Sequence, residues 1–474
     1  MSAKRASAWS ERRPAAKGAE QGFSQASGAA ALYITTAMSL LLSDAPEALA
    51  QTLRQIGGRG WVVRRQGPDR IEASHPELEP IAAMFREDGR DFLDHEGVFF
   101  ELGKESGAVL TAFVHRTVRG QGAGGLRHWP YAEIEDLLRD GLRLSAGMTR
   151  KNSLAGLWWG GGKGIIVRQA GVDHRDPAYR KTVYREYGRF VTSLRGVYIT
   201  AEDAGTVPAD LREVFATTRH ATCIPPEFGG SGNPSRKTAL GVISAMEGAL
   251  AELGQGELEG KRIAMQGAGN VATFMMKGLL ERGVGSIVAT DIDARYLDEL
   301  KAHFEGKPVE LICVKPDDLG IFSAECDIFA PNALGGTLNP DTIPLLNTKI
   351  VCGAANNQLL DDQRDMAALD ARGITYVPDF LGNRMGIVNC ANEQYGYVPD
   401  DPAIERHLGR EWENSVYLMT RKVLERAKAT GVSTAKAANE LADELSMVPH
   451  PIWGHRGAQI IEGLISDGWA KGEG

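Results

Sequence analysis

Residues 262–291 read as a strand, a glycine turn, a helix and a second strand ending on an acid, and no other stretch limits the fold as strongly. The apolar run RIAMQ is followed by Gly267-Ala268-Gly269-Asn270-Val271-Ala272, then by the helical NVATFMMKGLLERG, then by SIVATDID. Such a GxGxxA turn bends the backbone sharply at its first glycine and lets it approach a pyrophosphate at the second. The small sixth residue lets helix and strand pack closely. The helix N-terminus adds unpaired N–H groups for the phosphates. Asp291 closes the next strand at about the 20-residue spacing of such turns. Its carboxylate would accept hydrogen bonds from the adenosine ribose and repel a 2′-phosphate. The stretch predicts a Rossmann unit that takes NAD rather than NADP. The plainer alternative, a glycine-rich turn beside a surface acid, loses weight in this context.

The alternation continues on both sides. TALGVISAMEGALAELG and ARYLDELKAHF are helical, and DIFAPNAL, KIVCGAANN and ITYVPDF are apolar strands. Strands alternating with helices predict a mainly parallel sheet covered on both faces. Residues 233–390 are therefore expected to form the α/β dinucleotide-binding domain, opening at the turn-prone GGSGNPS. A chain of 474 residues needs more than one core. A second α/β domain is expected over 91–232, with extended GVFFELG and AVLTAFVHRTV. An amphipathic helix over 131–150 follows, with Ile134, Leu137, Leu138, Leu142 and Met148 near one face. Residues 391–474 read as helices that return to this domain. Residues 29–90 read as an appended small α/β unit with a hairpin in GWVVRRQGPDRIEA. Residues 1–28, nearly free of large apolar side chains, read as a disordered tail.

Composition narrows the function. A hydrophobic fraction of 43% and a charged fraction of 24% are those of a globular protein. With 53 basic against 61 acidic residues the net charge is -8, without the basic excess of a nucleic-acid binder. No apolar run reaches the ~18–20 residues that span a bilayer. The expected partners are small molecules, not nucleic acid or membrane. Five cysteines without CxxC spacing suggest neither a disulfide framework nor a metal site, and a reducing compartment, the cytoplasm, fits best. The apolar stretch 29–42 before Ala48-Leu49-Ala50 imitates a secretory signal, but Asp44 and Glu47 interrupt it.

The densest chemistry lies in 124–206: Gly124-Gly125-Leu126-Arg127, Lys151, Gly160-Gly161-Gly162-Lys163-Gly164 and Glu202-Asp203-Ala204-Gly205-Thr206. Glycines around a lysine let backbone and substrate come close. They leave the ammonium in a cleft where burial and a second lysine lower its pKa, so that it serves as a general base. Taken singly, each residue also has an ordinary reading as a solvated lysine or a capping Asp. The run lacks the spacing of a nucleoside-triphosphate loop.

The segments GGLRHW, GMTRKNSLAGLWWGGGKGIIV, YITAEDAGT, FGGSGNPS, QGAGNVA, TDID, APNALGGTLN and CGAANNQL closely resemble, in this order, the glutamate/leucine/phenylalanine/valine dehydrogenases, the leucine enzymes most of all. The resemblance, over about 91–397, implies a substrate domain and a Rossmann domain with the active site between them, C-terminal helices returning to the first, and a homo-oligomer. It implies that Lys163 activates the water attacking an imino-acid intermediate. Lys151 would grip the substrate α-carboxylate, and Asp203 would handle the amino-group proton. Asn356, more than Asn357, would orient substrate or nicotinamide. Gly125 would border the substrate, and Thr238, Ala330 and Asn332 would join Gly267, Gly269, Asn270, Val271 and Asp291 along NAD.

Glutamate enzymes of this kind carry a lysine immediately before the Gly-Gly-x-Arg motif. Here the residue is Ala123, which cannot pair a second carboxylate. Ile387 and Cys390 are expected on the side-chain pocket wall. Leucine, valine or isoleucine is the expected substrate, with phenylalanine or glutamate, or a non-catalytic NAD-binding paralogue, as alternatives. One departure stands out: relatives have Asn-Ala-Gly-Gly where this chain has Asn383-Arg384-Met385-Gly386. The expectation is two bulky side chains beside the nicotinamide and side-chain pockets, Arg384 pairing an anion there.

Overall fold

The computed structural model describes residues 40–65, 70–396, 398 and 400–472. The expected tail over 1–28 lies outside them, as does most of the apolar stretch that imitates a secretory signal. The first sheet has seven strands: β1 (Arg59–Arg64), β2 (Ile71–Ala73), β3 (Gly97–Leu102), β4 (Val109–Arg116), β5 (Gly122–Trp129), β6 (Gly160–Val167) and β7 (Tyr198–Glu202). Their order is β2-β1-β3-β4-β6-β5-β7. The β1–β2, β1–β3, β3–β4 and β4–β6 pairs are antiparallel, whereas β5 runs parallel to both β6 and β7.

Alternation along the strands fills a core on each face. Val98 and Phe100 enter one core with Val62, Phe113 and Ile165, under α1 (Pro46–Gln55), α2 (Glu79–Glu87) and the first turns of α3 (Ile134–Leu154). Phe99 enters the other with Val63 and Ile166, under α4 (Pro177–Ser193) and α5 (Pro208–Phe215). The expected appended unit over 29–90 is therefore corrected for its described part. The β1–β2 hairpin forms, but β1 pairs with β3 and its side chains share both cores, because Trp61, Val62 and Val63 are apolar on both faces.

The second sheet contains β8 (Arg262–Gln266), β9 (Ser286–Asp291), β10 (Val309–Cys313), β11 (Ile328–Pro331), β12 (Ile350–Val351) and β13 (Thr375–Tyr376) in the order β10-β9-β8-β11-β12-β13. Every pairing is parallel. Counted from β8 the order is 3-2-1-4-5-6, that of dinucleotide-binding domains, which places a ligand crevice at the strand ends where the order reverses. Around it lie α6 (Ser235–Glu252), α7 (Asn270–Glu281), α8 (Ala294–His303), α9 (Asp362–Ala371), the single turn α10 (Asp379–Gly382) and α11 (Met385–Glu393). The chain then runs through α12 (Pro402–Leu408), α13 (Val416–Thr430), α14 (Thr434–Ser446) and α15 (Arg456–Ser466).

Two boundaries differ from expectation. The one at 390–391 falls inside α11. The C-terminal helices do not all return to the first domain: Met419 and Val423 of α13 and Leu441 of α14 join the core of the second sheet. Only Ile461 and Leu464 of α15, with Trp469, join the first. Helix α3 runs past the expected end at Arg150 because Leu154 and Ala155 are buried in the second core while Ile134 to Leu142 are buried in the first. One helix thus spans both cores, with Lys151 near the crossing. Among the described residues no helix is long and apolar enough to cross a membrane.

Candidate active site

Strand β6 is buried along its whole length and carries Lys163 opposite Phe113 of β4. A Cβ on Gly161 would collide with Thr149 of α3, so the missing side chain lets the helix lie directly on the strand. Asp203 follows β7. Parallel pairing of β5 with β6 and β7 brings their ends together, and Lys163 Nζ donates to Asp203 Oδ2 at 2.7 Å. Arg127 Nε donates to the same oxygen at 3.0 Å. Behind it the Arg127 guanidinium holds Asp140 at 3.1 and 2.9 Å, and Asp140 accepts from the Tyr131 hydroxyl at 2.5 Å. Gly125 lies buried beside this pair; a Cβ there would stand 2.6 Å from the Asp203 Cβ.

The charges decide the protonation states. Lys163 is 3% exposed, and burial lowers its ammonium below the ordinary lysine range against the pull of Asp203. Burial alone would raise Asp203, but Lys163 and Arg127 outweigh it and hold the carboxyl near about 2. Next to it, burial and then the charges of Asp203 and Asp210 push Glu202 up to about 7.

Lys151 sits on the last turn of α3 and meets the second domain: its Nζ lies 3.4 Å from Asn356 Oδ1. Asn383 Nδ2 donates to the same oxygen at 2.9 Å and to the Ala354 carbonyl at 3.1 Å. Asn357, with a positive φ of 52°, turns its backbone N–H to Asp379 Oδ2 at 2.6 Å instead. Burial lowers Lys151, Asp379 opposes this, and Lys163 adds to it. The site therefore sets two lysines and Asp203 on one side against Asn356, Asn383 and Asp379 on the other. The roles of Arg127, Asp379 and Asn383 are absent from the sequence reading. Arg127 belongs to a quoted motif and Asn383 opens the departing segment, so position was the available signal.

Ala123, Ile199, Cys223, Ile387, Cys390 and Trp159 form one small apolar cluster, all buried. Cys223 and Cys390 lie with sulfurs 2.8 Å apart, and all five cysteines are free. Glu393 accepts from the backbone N–H groups of Cys223, Ile224 and Ser231, fixing the loop that carries Cys223. The departing segment needs correction. Arg384 is fully buried and donates to the backbone carbonyls of Leu154 and Asn414, pairing no anion, and Met385 packs in the core beside Gly241 of α6. Both side chains are drawn into the second core, away from the position expected for the pocket.

The glycine turn lies where β8 ends. Gly267 has a φ of 99°, and a Cβ on it would stand 2.8 Å from the Ala333 Cβ. Gly269 and Asn270 are exposed, Val271 is half-buried, and a Cβ on Gly269 would meet nothing within 4 Å. Asp291 Oδ2 accepts from the Ala268 N–H at 2.9 Å, tying the acid to the turn. Ala330 is buried in β11; Asn332, just beyond, accepts from the Ala354 N–H at 2.8 Å, and its side-chain nitrogen is buried without a partner. Thr238 lies on the first turn of α6 facing Gly386. An open helix N-terminus, a tethered acid and an unpaired amide donor fit a dinucleotide. Among the described residues no group of three His, Cys, Asp or Glu could hold a metal ion.

Known proteins share this arrangement. The Glutamate/Leucine/Phenylalanine/Valine dehydrogenase family model matches residues 229–445, and the model of the Glu/Leu/Phe/Val dehydrogenase dimerisation domain matches 98–220. The chain is 40% identical to leucine dehydrogenase of Geobacillus stearothermophilus over 352 residues, 74% of this chain and 90% of that protein. It is 36% identical to phenylalanine dehydrogenase of Lysinibacillus sphaericus over 365 residues, 77% and 92% of the two. The crystal structure of L-tryptophan dehydrogenase from Nostoc punctiforme aligns with a TM-score of 0.61 at 35% identity, over 74% of this chain and 96% of that one. The chain belongs to the glutamate/leucine/phenylalanine/valine dehydrogenase family, the NAD(P)-dependent enzymes that act on the CH–NH2 group of amino acids.

Proposed function

We propose that this chain catalyses the NAD-dependent oxidative deamination of leucine, valine or isoleucine to the 2-oxo acid and ammonia. The observation that carries the reading is the 2.7 Å contact of a buried Lys163 with Asp203, with Lys151 facing the other domain. Lys151 binds the α-carboxylate; its long 3.4 Å contact to Asn356 leaves donors for the substrate. Asn356 orients the substrate, held by Asn383. The bound dinucleotide accepts the hydride from Cα. Lys163, uncharged at that stage, takes a proton from the water that attacks the resulting imine carbon. Asp203 passes a proton to the departing amino nitrogen, and the two residues exchange it across their short contact. Arg127 keeps the carboxylate aimed.

NAD is the proposed form of the cofactor, because the Asp291 carboxylate stands at the turn where a 2′-phosphate would meet like charge. Asn332, Ala330, Thr238 and the turn at 267–272 are the other proposed contacts. Ala123 and the apolar Ile387 and Cys390 support a branched-chain side chain over a second carboxylate. A homo-oligomer is part of the proposal, given the dimerisation-domain match, and five free cysteines fit the cytoplasm. With Arg384 and Met385 in the core, the case for a blocked, non-catalytic paralogue loses its motive.

The test is NADH formation by purified protein on leucine, valine, isoleucine, phenylalanine, tryptophan and glutamate, with NADP as control. The branched-chain substrates should lead. Leading rates on an aromatic substrate or on glutamate would overturn the substrate assignment, and preference for NADP would overturn the cofactor assignment.

A further inference from the structure

We propose that Arg384 is a positioning residue that fastens the end of α3 to the nucleotide-binding domain and so sets where Lys151 presents its ammonium. The inference rests on the reading of Lys151 as the carboxylate-binding group. Burying a guanidinium without a carboxylate is costly, and an apolar side chain of the same size usually serves stability as well or better. Arg384 is nevertheless 0% exposed, and its hydrogen bonds go to two carbonyls. Leu154 is the last residue of α3, where unpaired carbonyls carry the negative end of the helix dipole, which a cation offsets. The other carbonyl belongs to Asn414, just before α13. Arg384 itself is the N-cap of α11.

The geometry is that of a fastener between lobes. Lys151 lies three residues before Leu154, roughly 4.5 Å along the helix axis. On the opposite side Asn383, the neighbour of Arg384, holds Asn356, and Asn356 faces Lys151. Two consecutive residues therefore fix both the helix that carries the lysine and the amide it faces. With one end of α3 in each core, a shift at Leu154 moves Lys151 relative to Asn356.

The test uses Arg384→Gln and Arg384→Lys, each alone and combined with Lys151→Met, with KM for the amino acid, kcat, NAD affinity and thermal midpoint as readouts. Arg384→Gln should raise KM about tenfold while NAD affinity stays within about twofold, since small misplacements of a binding group are costly. Arg384→Lys, which keeps the charge, should recover much of the loss. In the Lys151→Met background Arg384→Gln should cost less than about twofold more, because the two act through one contact. A fall in thermal midpoint with KM unchanged, or full additivity with Lys151→Met, would overturn the proposal. If Arg384→Gln does not fold, Arg384→Lys decides by the same comparison: a KM indistinguishable from the parent overturns the role. A parent-like KM in Lys151→Met alone overturns the carboxylate reading as well, a result that no Arg384 variant can mimic.

Discussion

The two glycine-rich segments, 160–164 and 267–269, look alike as sequence and do opposite work. In the first every residue is buried and the missing side chains are replaced by the protein's own atoms: Thr149 against Gly161, Tyr198 against Gly162, Tyr187 against Gly164. In the second the chain turns outward, and Gly269 faces open space. The first run removes bulk so that helix and strands can close around a lysine; the second removes bulk so that something else can approach. What separates them is the residue in the run. A lysine cannot be buried without a partner, and Lys163 has Asp203, whereas Gly267 and Gly269 are followed by an exposed helix N-terminus with nothing to neutralise it.

The sharpest way to break this comparison is to remove the lysine. Lys163→Met should lower kcat by about a thousandfold, the contribution of a placed general base, while NAD affinity is unchanged. Stability should hold or rise. The Lys163 ammonium has a folded pKa below its unfolded value, so its charge costs stability at neutral pH, a cost relieved only as pH rises through the folded value. Asp203 keeps Arg127 as its partner in this variant. Steady-state kinetics with a thermal melt checks both halves, and parent-like turnover would remove Lys163 from the chemistry.

Next in size, Gly161→Ala should destabilise the protein by about 2–3 kcal/mol, since its Cβ meets the backbone of α3, which cannot give way as a flexible side chain would. Gly269→Ala, at a φ of -59° that alanine tolerates, should leave stability within about 0.5 kcal/mol yet weaken NAD binding. Urea unfolding and NAD titration of the two variants should therefore give opposite patterns. Equal destabilisation would mean that the second run is also internal packing.

How much of this was legible depends on the distance between the residues involved. The parallel sheet was readable because turn, helix and Asp291 lie within one local stretch. Lys163 and Asp203 were readable as motif members. The long-range contacts were not: β1 joins β3 rather than standing apart, Arg127 meets Asp203 from 76 residues away, and α3 continues to Leu154 because that residue is buried in the other core. Arg384 was misplaced for a related reason. A bulky side chain in a pocket segment looks like a pocket residue, and only the fold shows that it turns to the carbonyls of Leu154 and Asn414.

A smaller effect concerns pH. Asp203 raises the Lys163 pKa while burial and Arg127 lower it. Other charged groups around the pair are Lys151 and Asp140 on α3, and Glu202 and Asp210. Deamination should increase with pH as Lys163 loses its proton, with an inflection below the ordinary lysine range. In Asp203→Asn the remaining rate should show that inflection moved to lower pH, because the group that favours the charged form is gone. An inflection that stays put, or moves up, would mean that the profile reports another group.

The smallest expected change tests the open end of the comparison. Asp291 is tied to the turn through Ala268, and its charge stands where the adenosine ribose is proposed to lie. Asp291→Ser removes the charge but keeps an acceptor for a ribose hydroxyl, so NAD affinity should fall modestly while the NADP-to-NAD ratio of kcat/KM rises, by about tenfold for the loss of one exposed like-charge contact. Repulsion across solvent is screened, so the gain should shrink as salt is added. A ratio unchanged at low salt would place the ribose elsewhere and leave Asp291 as a brace for the glycine turn, making the second run, like the first, partly the protein's own packing.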